Sequence, residues 1–228
     1  MTAVLPEGTE KVRAVETMFD TIAPRYDLLN RLLTFGMDVG WRRQAVRSLG
    51  LPAGSRVLDL ACGTGDLCRE LSAAGLRAVG VDRSGGMLAA ARTAAPLVRG
   101  DALRLPVPDG GADGIVCGFA LRNFLALEPF LAECARVLRP GGRVALLEVA
   151  APVNPVLRAG HAVYFGKVVP FVGGLLSDRA AYRYLPRSVA YLPPGNGLVA
   201  LLADAGFPDA GRRLLSVGIA QLLTGTRA

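Results

Sequence analysis

Residues 57–67 read VLDLACGTGDL, and the fold class of the chain can be inferred from this stretch outward. An apolar run of strand length passes into a turn that contains Gly63 and Gly65, and a segment of helical composition begins at Leu67. Glycine lets the backbone approach a ligand closely, and the first turn of a following helix presents free N–H groups to an anionic group. The stretch therefore predicts a buried strand, a ligand-binding turn that includes Thr64, and a helix.

On both sides of this turn, short apolar runs alternate with segments of helical composition. The runs of strand length are residues 56–60, 78–81, 97–99, 114–119 and 143–149. The helical segments between them are residues 67–74, 87–94 and 128–138. This alternation is typical of a parallel sheet that is covered by helices. We therefore predict an α/β fold with a doubly wound, Rossmann-like sheet and helices on both of its faces.

The flanking segments complete the predicted organisation. Residues 12–49 carry apolar positions at helical spacing, which predicts two or three helices. We assign residues 1–50 to an N-terminal helical cap and residues 51–228 to the main domain, with a substrate-side insertion at about 152–194. Residues 197–205 and 214–223 resemble a closing helix and a closing strand.

Composition and charge exclude several kinds of site. Lys and Arg number 26 against 19 Asp and Glu, but these cations are scattered, so no nucleic-acid partner is predicted. A single histidine and four cysteines without a C-x-x-C pair argue against a metal site. No apolar stretch reaches the length of a membrane span, and no secretory signal is present, so we expect a cytoplasmic protein. Peripheral contact with the inner face of the membrane and a homodimer stay open.

Acidic residues stand near the ends of successive predicted strands. Asp82 ends the second strand, where its carboxylate can accept hydrogen bonds from the hydroxyls of a ribose. Asp101 and the backbone N–H of Ala102 follow the third strand and can bind the amine and ring of an adenine. A dinucleotide fingerprint is the alternative, but it requires glycine where this chain has Cys68, and it does not require Asp59 before the turn. The pattern favours S-adenosylmethionine as the cofactor, and the predicted contacts are Asp59, Gly63, Gly65, Asp82, Asp101 and Ala102.

Further motifs cover most of the chain, at residues 18–20, 22–23, 26–27, 58–67, 119–123, 139–143, 182–185 and 188. Together they resemble the ubiquinone/menaquinone-biosynthesis C-methyltransferase family, whose demethylmenaquinone methyltransferase-like members are class I S-adenosylmethionine-dependent enzymes. The resemblance implies cofactor contacts at Thr64, Asp82, Asp101 and Ala102. It implies a further contact at Gly118, where the family commonly has a serine that reaches the cofactor.

The resemblance also implies the reaction. Family members methylate a ring carbon of a prenylated quinol, most simply demethylmenaquinol to menaquinol, and they need no metal. Matching motifs place Arg122, Asn123 and Tyr26 at the ring. Arginine stays charged, so we predict that Arg122 lowers the pKa of a ring hydroxyl or orients the water that accepts its proton, while Asn123 and Tyr26 hold that water.

Alternatives remain at several of these positions. Arg122 is instead a surface residue if it pairs with Glu128, and Glu148 is either a second base or the buried partner of an arginine. Gly118 and Gln221 both depart from the family pattern. These departures leave open another aromatic acceptor, or a methyltransferase-like scaffold that binds without turnover.

Overall fold

Seven strands form one mixed sheet in the computed structural model, which describes residues 8–228 except the side chain of Arg179. The strands are β1 Arg56–Leu60, β2 Arg77–Asp82, β3 Leu97–Arg99, β4 Ala112–Gly118, β5 Leu138–Val149, β6 Gly211–Leu215 and β7 Ala220–Thr226. Their order is β3-β2-β1-β4-β5-β7-β6. Strands β1 to β5 are parallel, and β7 lies antiparallel between β5 and β6. The predicted doubly wound α/β sheet is confirmed.

Helices cover both faces of this sheet. They are α1 Gly8–Ile22, α2 Tyr26–Leu33, α3 Met37–Ser48, α4 Asp66–Ala73, α5 Gly85–Ala89, α6 Leu127–Val137, α7 Pro155–Val163, α8 Val169–Leu176, α9 Arg179–Ser188 and α10 Gly195–Asp204. One hydrophobic core cluster contains buried side chains of α6 and α10, and a second cluster contains those of α3 and α4. Strand β1 is buried continuously from Val57 to Leu60, as expected of a strand that is covered on both faces.

Two predicted elements were wrong in extent. The helix expected over residues 87–94 ends at Ala89, because the chain crosses to the glycine turn, where the Arg92 amide donates to the Thr64 carbonyl at 3.0 Å. The single strand expected over residues 214–223 is two strands, β6 and β7, separated by a short turn at Ser216–Gly218. Val217 adopts a left-handed backbone conformation there, with φ +55°. β-branched residues rarely adopt this conformation, so the turn was not predicted.

The order of the strands positions a crevice. Strand β1 lies between β2 and β4, so the connections from β1 and β4 run in opposite directions along the sheet. Such a switch point opens a crevice at the carboxyl ends of the strands, where open α/β sheets bind their ligands.

The N-terminal helices, together with α8 and α9, cover this crevice. A third core cluster joins Ile22 and Leu29 of the N-terminal helices to Met87, Val169 and Tyr182. The N-terminal helices and the segment predicted as an insertion therefore pack together above the sheet. Residues 1–7 of the predicted cap lie outside the described residues.

Helices α7 and α8 are joined by a π turn, Tyr164–Val168, into one helix, Pro155–Leu176. Within the described chain, this 22-residue helix is long and apolar enough to cross a membrane by length and composition, with 11% of its apolar window buried. No segment of this length was expected, because the longest apolar runs of the sequence, such as residues 168–176, are shorter than a membrane span. Pro170 lies in the first turn of α8, and the helix continues through it.

Candidate active site

The carboxyl ends of β1, β2 and β4, and the residues after β3, meet at a cavity of about 130 Å³. We call it the switch-point cleft, and its wall includes Gly63, Asp82, Asp101, Ala102 and Gly118. Five of the predicted cofactor residues are therefore brought together. Asn123 and Tyr26 also line the cleft.

Asp82 fixes the glycine turn against the end of β2. Its Oδ2 accepts the Gly63 amide at 2.7 Å, and its Oδ1 accepts the Ser84 amide at 2.8 Å. Burial raises the pKa of Asp82, while these backbone hydrogen bonds oppose the rise. Gly63 has φ +55°, and a Cβ there would point at open space, with Met87 Sδ 4.0 Å away. The backbone at Gly63 is therefore open to a ligand in the cleft.

Asp101 stands at the opposite rim of the switch-point cleft. Its Oδ1 accepts the Leu103 amide at 3.0 Å, and its Oδ2 accepts from Arg83 Nη1 at 3.0 Å. The carboxylate is thereby oriented beside the Ala102 backbone, and it retains lone pairs for a further donor. This arrangement suits recognition of an amine next to an aromatic ring.

Three predicted cofactor residues do not line the cleft. Asp59 is fully buried, and its Oδ2 accepts the amide and the thiol of Cys68 at 3.1 and 3.2 Å. The Thr64 hydroxyl donates to Asp27 of the N-terminal helices. Gly65 caps α4 with φ +82°, and a Cβ there would lie 2.7 Å from the side chain of Thr93. These residues shape the turn, and we no longer expect Asp59 to touch the cofactor.

Carboxylates of the N-terminal helices hold those helices onto the cleft. Asp20 accepts the Ser84 hydroxyl and the Gly86 amide, the latter at 2.9 Å, and Asp27 accepts the Thr64 hydroxyl. Sequence reasoning missed these roles. The only available signal was that Asp20 and Asp27 belong to the family-like motifs at residues 18–20 and 26–27.

A second cavity, of about 320 Å³, lies between the N-terminal helices and the Pro155–Leu176 helix. We call it the apolar cavity, because most of its wall is hydrophobic: Leu33, Phe35, Met37, Trp41, Leu157, Tyr164, Phe165, Val169, Leu185, Val217 and Ile219. Tyr26 and Phe119 line both cavities. The two cavities therefore share a wall.

Arg122 projects into the apolar cavity from the turn after β4. Its Nη1 donates to Glu148, its amide donates to the same carboxylate at 3.3 Å, and its Nε donates to Ser188 at 3.1 Å. Both ions of this pair are buried. The hypothesis of a surface pair with Glu128 is wrong, and the hypothesis that Glu148 is the buried partner of an arginine is confirmed.

The two departures from the family pattern have local structural explanations. A Cβ at Gly118 would lie 2.9 Å from Leu67 Cδ1, so Leu67 fills the space that a larger residue at position 118 would need. Gln221 is buried in β7, where its Nε2 donates to the Val149 carbonyl at 2.9 Å and its Oε1 accepts from Arg212 at 2.6 Å. Gln221 therefore ties strands together.

Comparison with known proteins places this chain in a family. A model of the ubiE/COQ5 methyltransferase family matches residues 7–227. The chain belongs to this family. It is 46% identical to the demethylmenaquinone methyltransferase of Thermus thermophilus, over 92% of this chain and 100% of that protein. It is 43% identical to the ubiquinone/menaquinone biosynthesis C-methyltransferase UbiE of Syntrophotalea carbinolica, over 92% of this chain and 93% of that protein.

Among solved structures, a SAM-dependent methyltransferase from Thermotoga maritima superimposes with a TM-score of 0.68. The two chains are 19% identical, and the match covers 93% of this chain and 99% of the other. This likeness supports the shared fold. The protein described here is a methyltransferase, and its cofactor is S-adenosylmethionine.

The switch-point cleft of this methyltransferase suits that cofactor. Asp82 and Asp101 are held by backbone amides at two separate strand ends, and Gly63 leaves the backbone between them open. Two carboxylate acceptors suit the ribose hydroxyls and the adenine amine of the cofactor. The open glycine turn suits its carboxylate.

Proposed function

We propose that this methyltransferase transfers a methyl group to a ring carbon of a prenylated quinol, most simply demethylmenaquinol to menaquinol. The shared wall at Tyr26 and Phe119 is the observation that carries the proposal, because it puts a cofactor cleft beside an apolar cavity. The names of the relatives support the same substrate. The apolar lining suits a fused aromatic ring and the first part of a prenyl tail.

The residues of the switch-point cleft hold the cofactor in this proposal. Asp82 accepts from the ribose hydroxyls, Asp101 and the Ala102 amide bind the adenine, and the turn at Gly63 lies against the amino-acid part. S-adenosylmethionine, when bound, supplies an electrophilic methyl group on a sulfonium. In the bound complex the ring carbon would take that methyl as the sulfur–methyl bond breaks. The proton of that carbon would then return to the ring oxygen by way of water, so that one proton, that of the hydroxyl, leaves in all.

Arg122 prepares the ring for this attack. Its guanidinium, fixed by Glu148 and Ser188, lies in the mostly apolar cavity, where a positive charge lowers the pKa of an adjacent ring hydroxyl. Asn123 Oδ1 accepts from the Tyr184 hydroxyl at 3.3 Å. Together with Tyr26, Asn123 holds the water that takes the proton of the ring hydroxyl. A phenolate and a sulfonium lose charge as they react, so exclusion of water favours the transfer.

An apolar surface beside the apolar cavity suits a lipid bilayer as the source of the prenylated substrate. The exposed hydrophobic residues that form this surface are Phe35, Val153, Val156, Val163, Phe171, Leu175 and Val217. Phe35 and Val217 line the cavity and hold left-handed backbones at φ +52° and +55°, an unfavourable conformation for bulky residues. Arg158 and Lys167 lie on the Pro155–Leu176 helix, and anionic lipid attracts such cations. We propose that this surface rests on the membrane without crossing it.

Turnover by native enzyme and by Arg122 variants tests the proposed reaction. We expect Arg122→Ala to lower kcat by roughly 100-fold or more, because the ring hydroxyl loses its charged neighbour. Binding of S-adenosylhomocysteine, measured by calorimetry, should stay unchanged. Arg122→Ala combined with Glu148→Gln avoids leaving a buried charge unpaired, and Arg139→Ala, on an exposed arginine, is the control.

Two results would contradict parts of this proposal. Full turnover by the Arg122 variants would remove the catalytic role of Arg122. Methylation of non-prenylated aromatic compounds alone would remove the quinol as substrate, while the methyltransferase activity would stand.

A further inference from the structure

Two buried ion pairs supply charge to the apolar cavity, and only the pair of Arg122 has a role in the proposed reaction. The other is formed by Asp38 and Arg42 of α3, which both line the cavity. Arg42 is 6% exposed and Asp38 is completely buried. Asp38 Oδ1 also accepts the Thr34 hydroxyl at 2.7 Å, so both of its oxygens are occupied. Arg42 is therefore the member of this pair that has hydrogen-bond donors left for a ligand.

The hydrogen bonds of Arg42 are far from complete. A guanidinium has five N–H donors. Within the described part of the chain, Arg42 donates one hydrogen bond, from Nη1 to Asp38. Its Nη2 forms a second ion pair, with Asp66 Oδ2 at 3.2 Å, so three of its five N–H groups, including Nε–H, have no acceptor among the described residues. By contrast, Arg122 uses both Nη1 and Nε within the protein.

Arg42 also lies at the wall between the two cavities. Its guanidinium carbon is 5.6 Å from the centre of the Phe119 ring, which faces both the cleft and the apolar cavity. An acceptor ring must sit against this wall to reach the methyl group. Unused donors in a mostly apolar wall carry a desolvation cost that a ligand oxygen removes.

We propose that Arg42 binds the second oxygen of the quinol, the one remote from the methylated carbon, while Arg122 faces the near oxygen. This assignment rests on the proposed function and deepens it. The cavity then selects rings with two oxygen substituents over rings with one. Arg42 is a substrate-binding residue in this scheme, and Asp38 and Thr34 position it.

A purely structural role for Arg42 makes a different prediction. Through Asp66, Arg42 also joins α3 to the start of α4, so its loss would weaken every activity to the same extent. Only a substrate-binding role depends on which oxygens the substrate carries. Two probes separate these roles: 2-prenyl-1,4-naphthoquinol, and 3-prenyl-1-naphthol, which keeps the hydroxyl beside the acceptor carbon and lacks the remote one.

The experiment is a double-mutant cycle between enzyme and substrate. We expect Arg42→Lys, and Arg42→Met combined with Asp38→Asn, to lower kcat/KM for the naphthoquinol by roughly 10- to 100-fold. The same variants should change kcat/KM for the naphthol by less than about 3-fold. Arg43→Gln is the matched control, because Arg43 is the next residue, is exposed, and pairs with Glu70 on the outer side.

Binding provides a readout that does not require turnover. Trp41 is the single tryptophan of the chain and lines the apolar cavity, so its fluorescence should report binding of either probe. The Arg42 variants should weaken binding of the naphthoquinol selectively. Equal losses for both probes would overturn the assignment and leave the methyltransferase reaction intact. Failure of native enzyme to methylate either probe would instead contradict the proposed function.

Discussion

At the scale of single residues, Asp59 shows how the glycine turn is supported from beneath. Its Oδ2 accepts two donors from Cys68, and its Oδ1 is buried without a hydrogen-bond partner. Burial raises the pKa of Asp59 to about 7, with Asp82 adding a smaller electrostatic contribution in the same direction. The carboxyl group therefore changes its charge near neutral pH, close to the cofactor cleft.

This shift makes stability depend on pH. In the unfolded chain the pKa of Asp59 lies near 4, so between about pH 4 and 7 the folded state binds more protons than the unfolded state. The contribution of Asp59 to the free energy of unfolding is therefore present below about pH 4 and is lost as the pH rises through about 7. We expect Asp59→Asn to flatten this decline by on the order of 2–4 kcal/mol.

Urea unfolding at pH 5 and pH 8 measures this effect. Asp113→Asn is the control, because Arg139 lowers the pKa of Asp113 and its titration therefore has the opposite sign. An Asp59→Asn protein with the same pH dependence as the native protein would show that Asp59 does not hold a proton in the folded state.

At the scale of elements, the N-terminal helices are held over the cleft by a small number of polar contacts. Asp20 binds the start of α5, through Ser84 and Gly86, and Asp27 binds the glycine turn at Thr64. Both carboxylates bind segments that follow strands β1 and β2. Closure of the cleft by these helices therefore depends on the loops that line it.

We expect Asp20→Ala to loosen this closure. The variant loses acceptors for the Ser84 hydroxyl and the Gly86 amide, so α1 and α2 should exchange their amide hydrogens faster, and the KM for S-adenosylmethionine should rise by about 5- to 30-fold. Hydrogen exchange read by mass spectrometry checks the first effect. Glu10→Ala, on the exposed first turn of α1, is the control. Unchanged exchange in α1 and α2 would contradict the coupling.

At the scale of the whole molecule, the charge and the apolar surface favour a membrane as the partner. The chain carries a net charge of +7, and its exposed apolar residues cluster on the segments that line the apolar cavity. In the proposed docking, a prenylated substrate would pass from the bilayer into the cavity without crossing water. The benefit of docking should therefore grow with the length of the prenyl tail.

Flotation with anionic phosphatidylglycerol vesicles tests this interaction. We expect Phe171→Ser and Val156→Ser each to weaken vesicle binding by roughly 10-fold, because each removes apolar area that the bilayer would bury. The variants should raise KM for long-tailed quinols and leave KM for short-tailed quinols unchanged. Val98→Ser, on an exposed valine of β3, is the control.

Two outcomes would remove the membrane from this proposal. Native protein that does not float with vesicles at low salt would exclude it directly. Sedimentation as a dimer that the Phe171 and Val156 variants convert to a monomer would assign the surface to a second copy of the chain.

The sequence alone determined the fold class and most of the switch-point cleft. Strand ends are local features, and in a parallel sheet they meet at one edge, so Gly63, Asp82 and Asp101 were predictable from order and spacing. The buried strands read as apolar runs because helices cover both faces. A resemblance of motifs then indicated the family and pointed to Arg122 and Asn123.

Which side chains meet across long stretches of sequence depends on the packing of the whole chain. The pairing of Arg122 with Glu148, of Thr64 with Asp27 and of Arg42 with Asp66 joins residues that no local pattern relates. The turn at Val217 was missed because a β-branched residue does not favour a left-handed backbone. That conformation is imposed by the antiparallel pairing of β6 with β7. Local propensity reports the conformation of a segment, whereas the partner of a buried charge depends on the whole packed chain.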